Sequence, residues 1–293
     1  MNKQQTLRGE IFFQGLGVHT GAPCSITLKP ADAKSGISFI NEQNPDQIIR
    51  VGSVIPDPAM HATVIRTNQW ALSTVEHLMA ALMLMGIDNV DILVSGTEIP
   101  ILDGSALLFV QGIVDIGVLE QDASKQWITP RERLEFADDK GRSMFIEPAV
   151  LDQHQDERGF KPALFIDYNA DFIHPLNGNP VLTGQVTQDF FMHEIAPART
   201  FGFLEQLPFL RHHKLAQGTS LGNSLVIGNG ELLNEMRLPD ECVRHKFLDL
   251  IGDLSLLGKN LIGSVKANKT SHNFNRLVIE HFLKNPEKWL VIE

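Results

Sequence analysis

The stretch Ser73-Thr74-Val75-Glu76-His77-Leu78-Met79-Ala80-Ala81-Leu82-Met83-Leu84-Met85-Gly86 reads as one helix, and it decides the fold because it has a counterpart far down the chain. Ala, Leu, Met and Glu are strong helix formers, and Leu78, Ala81, Leu82 and Met85 recur at the spacing of a buried stripe. Ser73 and Glu76 fit a capping box, while Gly86 supplies the left-handed residue that closes many helices. Glu76-His77-Leu78 stands before Gly86-Ile87-Asp88-Asn89-Val90, and Leu248-Asp249-Leu250 stands before Gly258-Lys259-Asn260-Leu261-Ile262. Counting back from the two glycines sets His77 opposite Asp249. The pattern suggests an internal duplication, in which equivalent helices of two similar halves each offer a metal-type side chain to a site at their interface.

Around the first helix, short strands are expected over 4–14, 25–30, 37–40, 61–66 and 89–94, with a second helix over 105–116 after the turn Asp103-Gly104. The polar stretch 120–126 reads as a linker. Beyond it the pattern repeats, with strands over 128–136, 143–148, 163–168 and 184–189 and a long helix over 239–257. Pro239 suits that helix's first turn, and Gly258 stands just past its end. The expected fold class is α+β: two similar domains, residues 1–122 and 127–293, with helices packed against small mixed sheets and the active site at the domain interface.

Composition narrows the function. The chain has 293 residues, 43% hydrophobic and 20% charged, enough to bury one large core or two ordinary ones. A net charge of −10 argues against broad binding to nucleic acid or anionic membranes. The opening residues lack the layout of a signal peptide and no apolar run is long enough for an integral membrane segment, so a cytoplasmic protein is expected. Cys24 and Cys242 are the only cysteines, which is no disulfide framework.

The sharpest local feature is Arg244-His245-Lys246-Phe247-Leu248-Asp249-Leu250-Ile251-Gly252-Asp253. On a helix, His245, Asp249 and Asp253 follow one another at i+4 steps and share one face. That face is either a solvated stripe or a two-point metal clamp. A catalytic zinc site takes three protein ligands and keeps one position open, and His77 is the natural third. Glu76 would then lie beside the attacking water, yet as partner of Ser73 it has an equal claim to a capping role. Cys242 is a rival ligand, less suited to a catalytic ion than a carboxylate, and Glu241 reads better as a first-turn partner of the helix dipole. Gln14-Gly15-Leu16-Gly17-Val18-His19-Thr20-Gly21 lacks the spacing of a nucleotide-binding glycine loop.

Taken in order, GLGVHTG, STVEHLMAAL with GIDNV, EIPILDGSA, ARTFGF, VRHKFLDLIGDL and KTSHNFN resemble the UDP-3-O-acyl-N-acetylglucosamine deacetylase family, zinc enzymes of lipid A biosynthesis in Gram-negative bacteria. The resemblance spans nearly the whole chain and implies a fold of two similar α+β domains with the metal between them. Carried over motif by motif, it makes His77, His245 and Asp249 the ligands of Zn2+, with Fe2+ able to use the same donors. It makes Glu76 the general base, His272 the general acid, Asp253 the partner that orients His272, and Thr200 an oxyanion donor. Lys246, Lys269 and, more weakly, Arg142 would meet the diphosphate of an acylated UDP-sugar, Phe201 its sugar or acyl group, and Phe172 its uracil ring. Phe172 also reads as a core residue ending a strand. His61 departs from the family's pattern and could approach the metal, tune inhibition by excess zinc, or pack.

The implied reaction is hydrolysis of an acetamide by a monomer, with an acidic limb from Glu76, a basic limb from His272, and an apolar passage walled by Leu207, Phe209, Leu210 and Leu215. Two other classes stay open: a sugar-nucleotide-binding protein without turnover, and an amidase for another N-acetylated sugar.

Overall fold

Period-two burial along the strands, as in Val90–Ser95 and Gly263–Asn268, builds two five-stranded mixed sheets with one face turned to the core. The computed structural model describes residues 3–150, 155–156, 159–160, 163–170 and 178–293. The first sheet is ordered Ile11–Leu16, Pro23–Pro30, Val90–Ser95, Ile37–Asn41, Ile48–Arg50, and the second Leu134–Ala137, Ser143–Glu147, Gly263–Asn268, Leu164–Asn169, Val181–Gln185. Both show the same run of pairings: antiparallel, antiparallel, parallel, antiparallel. In each, the central strand comes last in the chain. The fold is α+β, as the sequence leads one to expect.

In chain order the helices are α1 (Glu76–Leu84), α2 (Leu107–Ile116), α3 (Gln188–Phe190, running on into a π-helical turn at Phe191–Ile195), α4 (Leu207–His212), α5 (Glu241–Ser255) and α6 (His272–Lys284). Helices α1 and α5 each lead into the central strand of their sheet, and α2 and α6 follow those strands. Residues of both sheets and of α1, α2, α5 and α6 join one buried apolar cluster, among them Phe39, Ile92, Leu78, Leu248, Ile166 and Val265. At about 1.5–3 kcal/mol for each large aliphatic side chain removed from water, burial of this cluster is the main favourable contribution to folding.

Helix α1 ends as the sequence predicts. Gly86 takes φ +80°, its N–H reaches Met83 O at 3.0 Å, and Ile87 N–H reaches Leu82 O at 2.9 Å, which satisfies two terminal carbonyls. Helix α1 also packs along α5. A Cβ on Gly252 would fall 2.0 Å from Glu76 O, so the missing side chain lets α5 touch the backbone at the start of α1.

Several local expectations are overturned. There is no capping box: Glu76 is itself the first helical residue, and Ser73 ends the strand Ala71–Ser73, where its N–H reaches Thr97 O at 3.0 Å and its hydroxyl donates to the same carbonyl at 3.3 Å. Helix α5 begins at Glu241, beyond Pro239, because Asp240 is left-handed (φ +55°) with its carboxylate taken by the Asn179 N–H at 2.6 Å. Most of 120–126 lies in the strand Val118–Ser124, which the N-terminal strand Lys3–Leu7 pairs antiparallel. The expected strand over 184–189 stops at Gln185, after which Thr187 caps α3 by accepting the Phe190 N–H. The expected strands over 4–14 and 128–136 each break in two.

Candidate active site

Helix α5 carries its polar side chains on the face toward the first turn of α1. His245, Asp249 and Asp253 are almost completely buried there, as are Glu76 and His77. The ligand atoms of His77, His245 and Asp249 lie within 4.8 Å of one another, so these three could hold one metal ion. His245 Nε2 is 3.3 Å and His77 Nε2 3.8 Å from Asp249 Oδ1, and the two imidazoles meet edge to face with centroids 4.9 Å apart. The donor set fits a divalent ion of the zinc or iron(II) type. His245 Nδ1 donates to Ala198 O at 3.0 Å, which turns the lone pair of Nε2 toward the cluster. Burial, with His245 alongside, pulls the His77 imidazole down to about 3, so it stays neutral, as a ligand must. Burial alone would raise the Asp249 carboxyl, but Lys246, His245 and His272 hold it well below the usual carboxylate range. Lys246 Nζ donates to Asp249 Oδ2 at 2.6 Å.

Glu76 and His272 stand against this cluster. His272 opens α6, where Ser271 is the N-cap residue, so the KTSHN segment forms a strand-to-helix corner. Its Nε2 faces Glu76 Oε1 at 3.8 Å and Asp249 Oδ2 at 3.7 Å. Its Nδ1 donates to Asp253 Oδ2 at 2.8 Å. Burial would lower the His272 imidazole, but Asp253, Glu76 and Asp249 outweigh it and lift the ring to about 9. Burial lifts the Glu76 carboxyl to about 8 against the pull of His272, and a divalent cation beside it would bring it down.

Residues that sequence reading missed complete the frame. The Thr63 N–H donates to Glu76 Oε2 at 3.2 Å and its hydroxyl donates to Asp253 Oδ1, while Asn275 Nδ2 donates to Asp253 Oδ2 at 2.7 Å. A lone threonine in His61-Ala62-Thr63-Val64-Ile65 was the available signal. Arg199 and Glu241 form a buried ion pair, with the Arg199 N–H and Nε both 2.9 Å from Glu241 Oε1. Glu241 is therefore more than a dipole partner: it clamps the backbone between Ala198 and Thr200. Cys242 stays outside the cluster, its thiol pushed up to about 12 by burial and then by Glu241.

A cavity of about 550 Å3 opens over the cluster. Thr200, Phe201, Lys246, Lys269, His61 and His19 line it beside Glu76, His77, His245, Asp249 and His272. Phe201 lies edge-on to His245 with ring centroids 6.2 Å apart. Leu204, Leu207 and Leu210 form part of the apolar wall, whereas Phe209 and Leu215 do not line it; Phe209 faces solvent and stacks on His213. Arg142 also lies outside the lining, its Nε bound to Asp138 Oδ2 at 2.6 Å and Nη1 to Ser271 Oγ at 2.8 Å. Phe172 lies outside the described residues. Among the described residues, no helix is long and apolar enough to cross a membrane.

Comparison with known proteins agrees with the geometry. The sequence profile of the UDP-3-O-acyl N-acetylglycosamine deacetylase (LpxC) family matches residues 4–284. A UDP-3-O-acyl-N-acetylglucosamine deacetylase of Syntrophotalea carbinolica is 37% identical over 294 residues, covering 99% of this chain and 91% of its own length. Relatives of the same name are similar, at 36% in Geobacter sp. strain M21 (99% of this chain, 92% of the relative) and 37% in Coxiella burnetii (100% and 94%). With the match running almost from end to end and the buried His-His-Asp cluster in place, this chain belongs to the LpxC family of deacetylases, hydrolases acting on an amide bond.

Proposed function

We propose that the chain hydrolyses the acetamide of UDP-3-O-acyl-N-acetylglucosamine, releasing acetate and UDP-3-O-acyl-glucosamine for lipid A biosynthesis, with zinc held by His77, His245 and Asp249. Iron(II) suits the same donors. A monomeric protein in the cytoplasm of a Gram-negative bacterium belongs to this reading, as does a division into units 1–122 and 127–293, supported by the matching sheet orders. The observation that carries it is the meeting of the His-His-Asp cluster with Glu76 and His272 at the floor of one cavity.

An ion held by His77, His245 and Asp249 would supply Lewis acidity, which polarises a carbonyl and makes a water more acidic. Glu76 takes the proton of that water as the new C–O bond forms. The Thr200 hydroxyl, on the cavity wall, donates to the oxyanion. His272, lifted to about 9 and so protonated at neutral pH, gives its Nε2 proton to the departing amine, because an amide anion cannot leave unaided. Asp253, itself held by Thr63 and Asn275, keeps that ring in orientation. Lys246 and Lys269 attract the diphosphate, and Phe201 packs on the sugar or acyl group. Leu204, Leu207 and Leu210 receive the start of the acyl chain.

The test measures acetate released from the acylated and the unacylated UDP-sugar, alongside metal content. Turnover of the acylated substrate alone, lost on chelation and restored by zinc, is expected. Binding without acetate release would establish a non-catalytic protein, and equal turnover of both sugars would establish a broader amidase.

A further inference from the structure

Glu98 is almost completely buried, yet among the described residues no Lys or Arg forms an ion pair with it, and its carboxylate is satisfied by N–H and O–H donors. The His19 N–H and the Thr74 hydroxyl donate to Oε1 at 2.9 and 3.0 Å, and the Thr20 N–H and hydroxyl donate to Oε2 at 2.9 and 2.6 Å. The site is built for this carboxylate. A Cβ on Gly17 would fall 2.0 Å from Glu98 Oε2, so only glycine lets the loop close over it. That loop is drawn tight by Gly17 N–H to Ala22 O at 3.0 Å and Gly21 N–H to Gly17 O at 2.9 Å.

Thr74 is the informative partner. It is β-branched yet left-handed at φ +61°, a conformation that is strained for such a residue and persists only where its surroundings impose it. Two restraints impose it: the Thr74 N–H reaches Thr63 O at 3.0 Å, and its hydroxyl is held by Glu98. Ser73 pairs with Glu98 as an isolated parallel bridge, which brings the carboxylate alongside the next residue. The left-handed turn at Thr74 redirects the chain from the strand Ala71–Ser73 into α1, whose first two residues are Glu76 and His77. His19 and Thr74 both line the cavity.

We infer that Glu98 is a positioning residue which, by holding Thr74 left-handed, aims Glu76 and His77 at the metal centre and at the same time ties the His19 loop to that wall of the cavity. The inference rests on the reading of His77, His245 and Asp249 as metal ligands. It requires a carboxylate and not an isosteric amide, because every group facing Glu98 is a donor and the NH2 of glutamine would meet an N–H.

The test follows cobalt(II) binding by its visible absorption, separately from turnover, in Glu98→Gln, Thr74→Val and the double variant Glu98→Gln/Thr74→Gly. Glu98→Gln is expected to weaken cobalt binding about 10–100-fold, the usual effect of losing a partner that orients a ligand, and to lower kcat more than it raises KM. Thr74→Val removes one of four donors and leaves the loop intact, so it covers the case in which Glu98→Gln fails to fold; it should weaken cobalt binding in the same direction. Glycine adopts positive φ without help, so the double variant should regain part of the lost affinity. Cobalt affinity unchanged in Thr74→Val, or no recovery in the double variant, overturns the inference while leaving the metal site standing. Wild-type protein that takes up no cobalt overturns the metal site itself, and this inference with it.

Discussion

Helices α1 and α5 occupy equivalent places in two sheets of the same strand order, yet they deliver chemistry in different ways. Helix α5 uses a face: His245, Asp249 and Asp253 follow at i+4 steps along its length, all buried. Helix α1 uses an end: Glu76 and His77 are its first two residues, and the buried residues after them are apolar. A face is set by helix geometry and tolerates small shifts of the whole rod. An end is set by the chain path leading into it, here a strained left-handed threonine and a buried carboxylate.

The sharpest way to separate the two contributions is to remove the acid and the base in turn. Glu76→Gln and His272→Gln should each lower kcat by about 10^2–10^4, the usual range for a general base or acid, with metal content retained. Their pH profiles should differ in sign. His272 must be protonated to donate, so activity falls as pH rises through about 9, and His272→Gln should abolish that basic limb. Glu76 must be ionised to accept, so activity falls as pH drops through its pKa. That pKa is about 8 from burial without a cation and lower with one, and Glu76→Gln should abolish the acidic limb. A surviving basic limb in His272→Gln would transfer the acid role to another group.

Breaking the contact between the helices comes next. Gly252→Ala in an unconstrained helix would stabilise by about 1 kcal/mol. Here the added Cβ meets Glu76 O at 2.0 Å, and the forced separation should cost about 1–3 kcal/mol net and weaken metal binding, as read by denaturant unfolding and metal competition. A stabilised variant with normal metal affinity would show that close packing at Gly252 does not set the site.

The smallest effect should come from Arg142→Ala. Its guanidinium is held by Asp138 and by Ser271, which does line the cavity, while Arg142 itself does not, so KM for the nucleotide sugar should stay within about twofold. A large rise in KM would return Arg142 to the phosphate subsite.

What was legible follows the same contrast. The i+4 polar stripe on α5 and the paired glycines closing α1 and α5 are local patterns with fixed geometry, and both the metal cluster and the sheet repeat conform to them. The misreadings lie where tertiary partners outbid local ones. Ser73 fits a capping box, but its backbone is pinned in extended pairing by Thr97 and Ile99, which leaves Glu76 free to face His272. The polar stretch 120–126 lacks a strand pattern, but the distant Lys3–Leu7 recruits most of it. Thr63 and Glu98 are single polar residues in apolar surroundings, without any spacing to announce them.

The sequence by itself determined α1, α2 and α5 with the glycines that follow them, the α+β class and the residue types able to bind a metal, because these depend on propensity and on contacts between near neighbours; α3, α4 and α6 went unread. Only the tertiary structure decided that Glu76 faces His272 and is not the capping partner of Ser73, that Arg142 is not part of the cavity lining, and that Glu98 accepts the Thr74 hydroxyl just before α1. Those outcomes depend on backbone groups far apart in the chain meeting in a buried space, where an unpaired carboxylate or N–H costs more than any local preference can return.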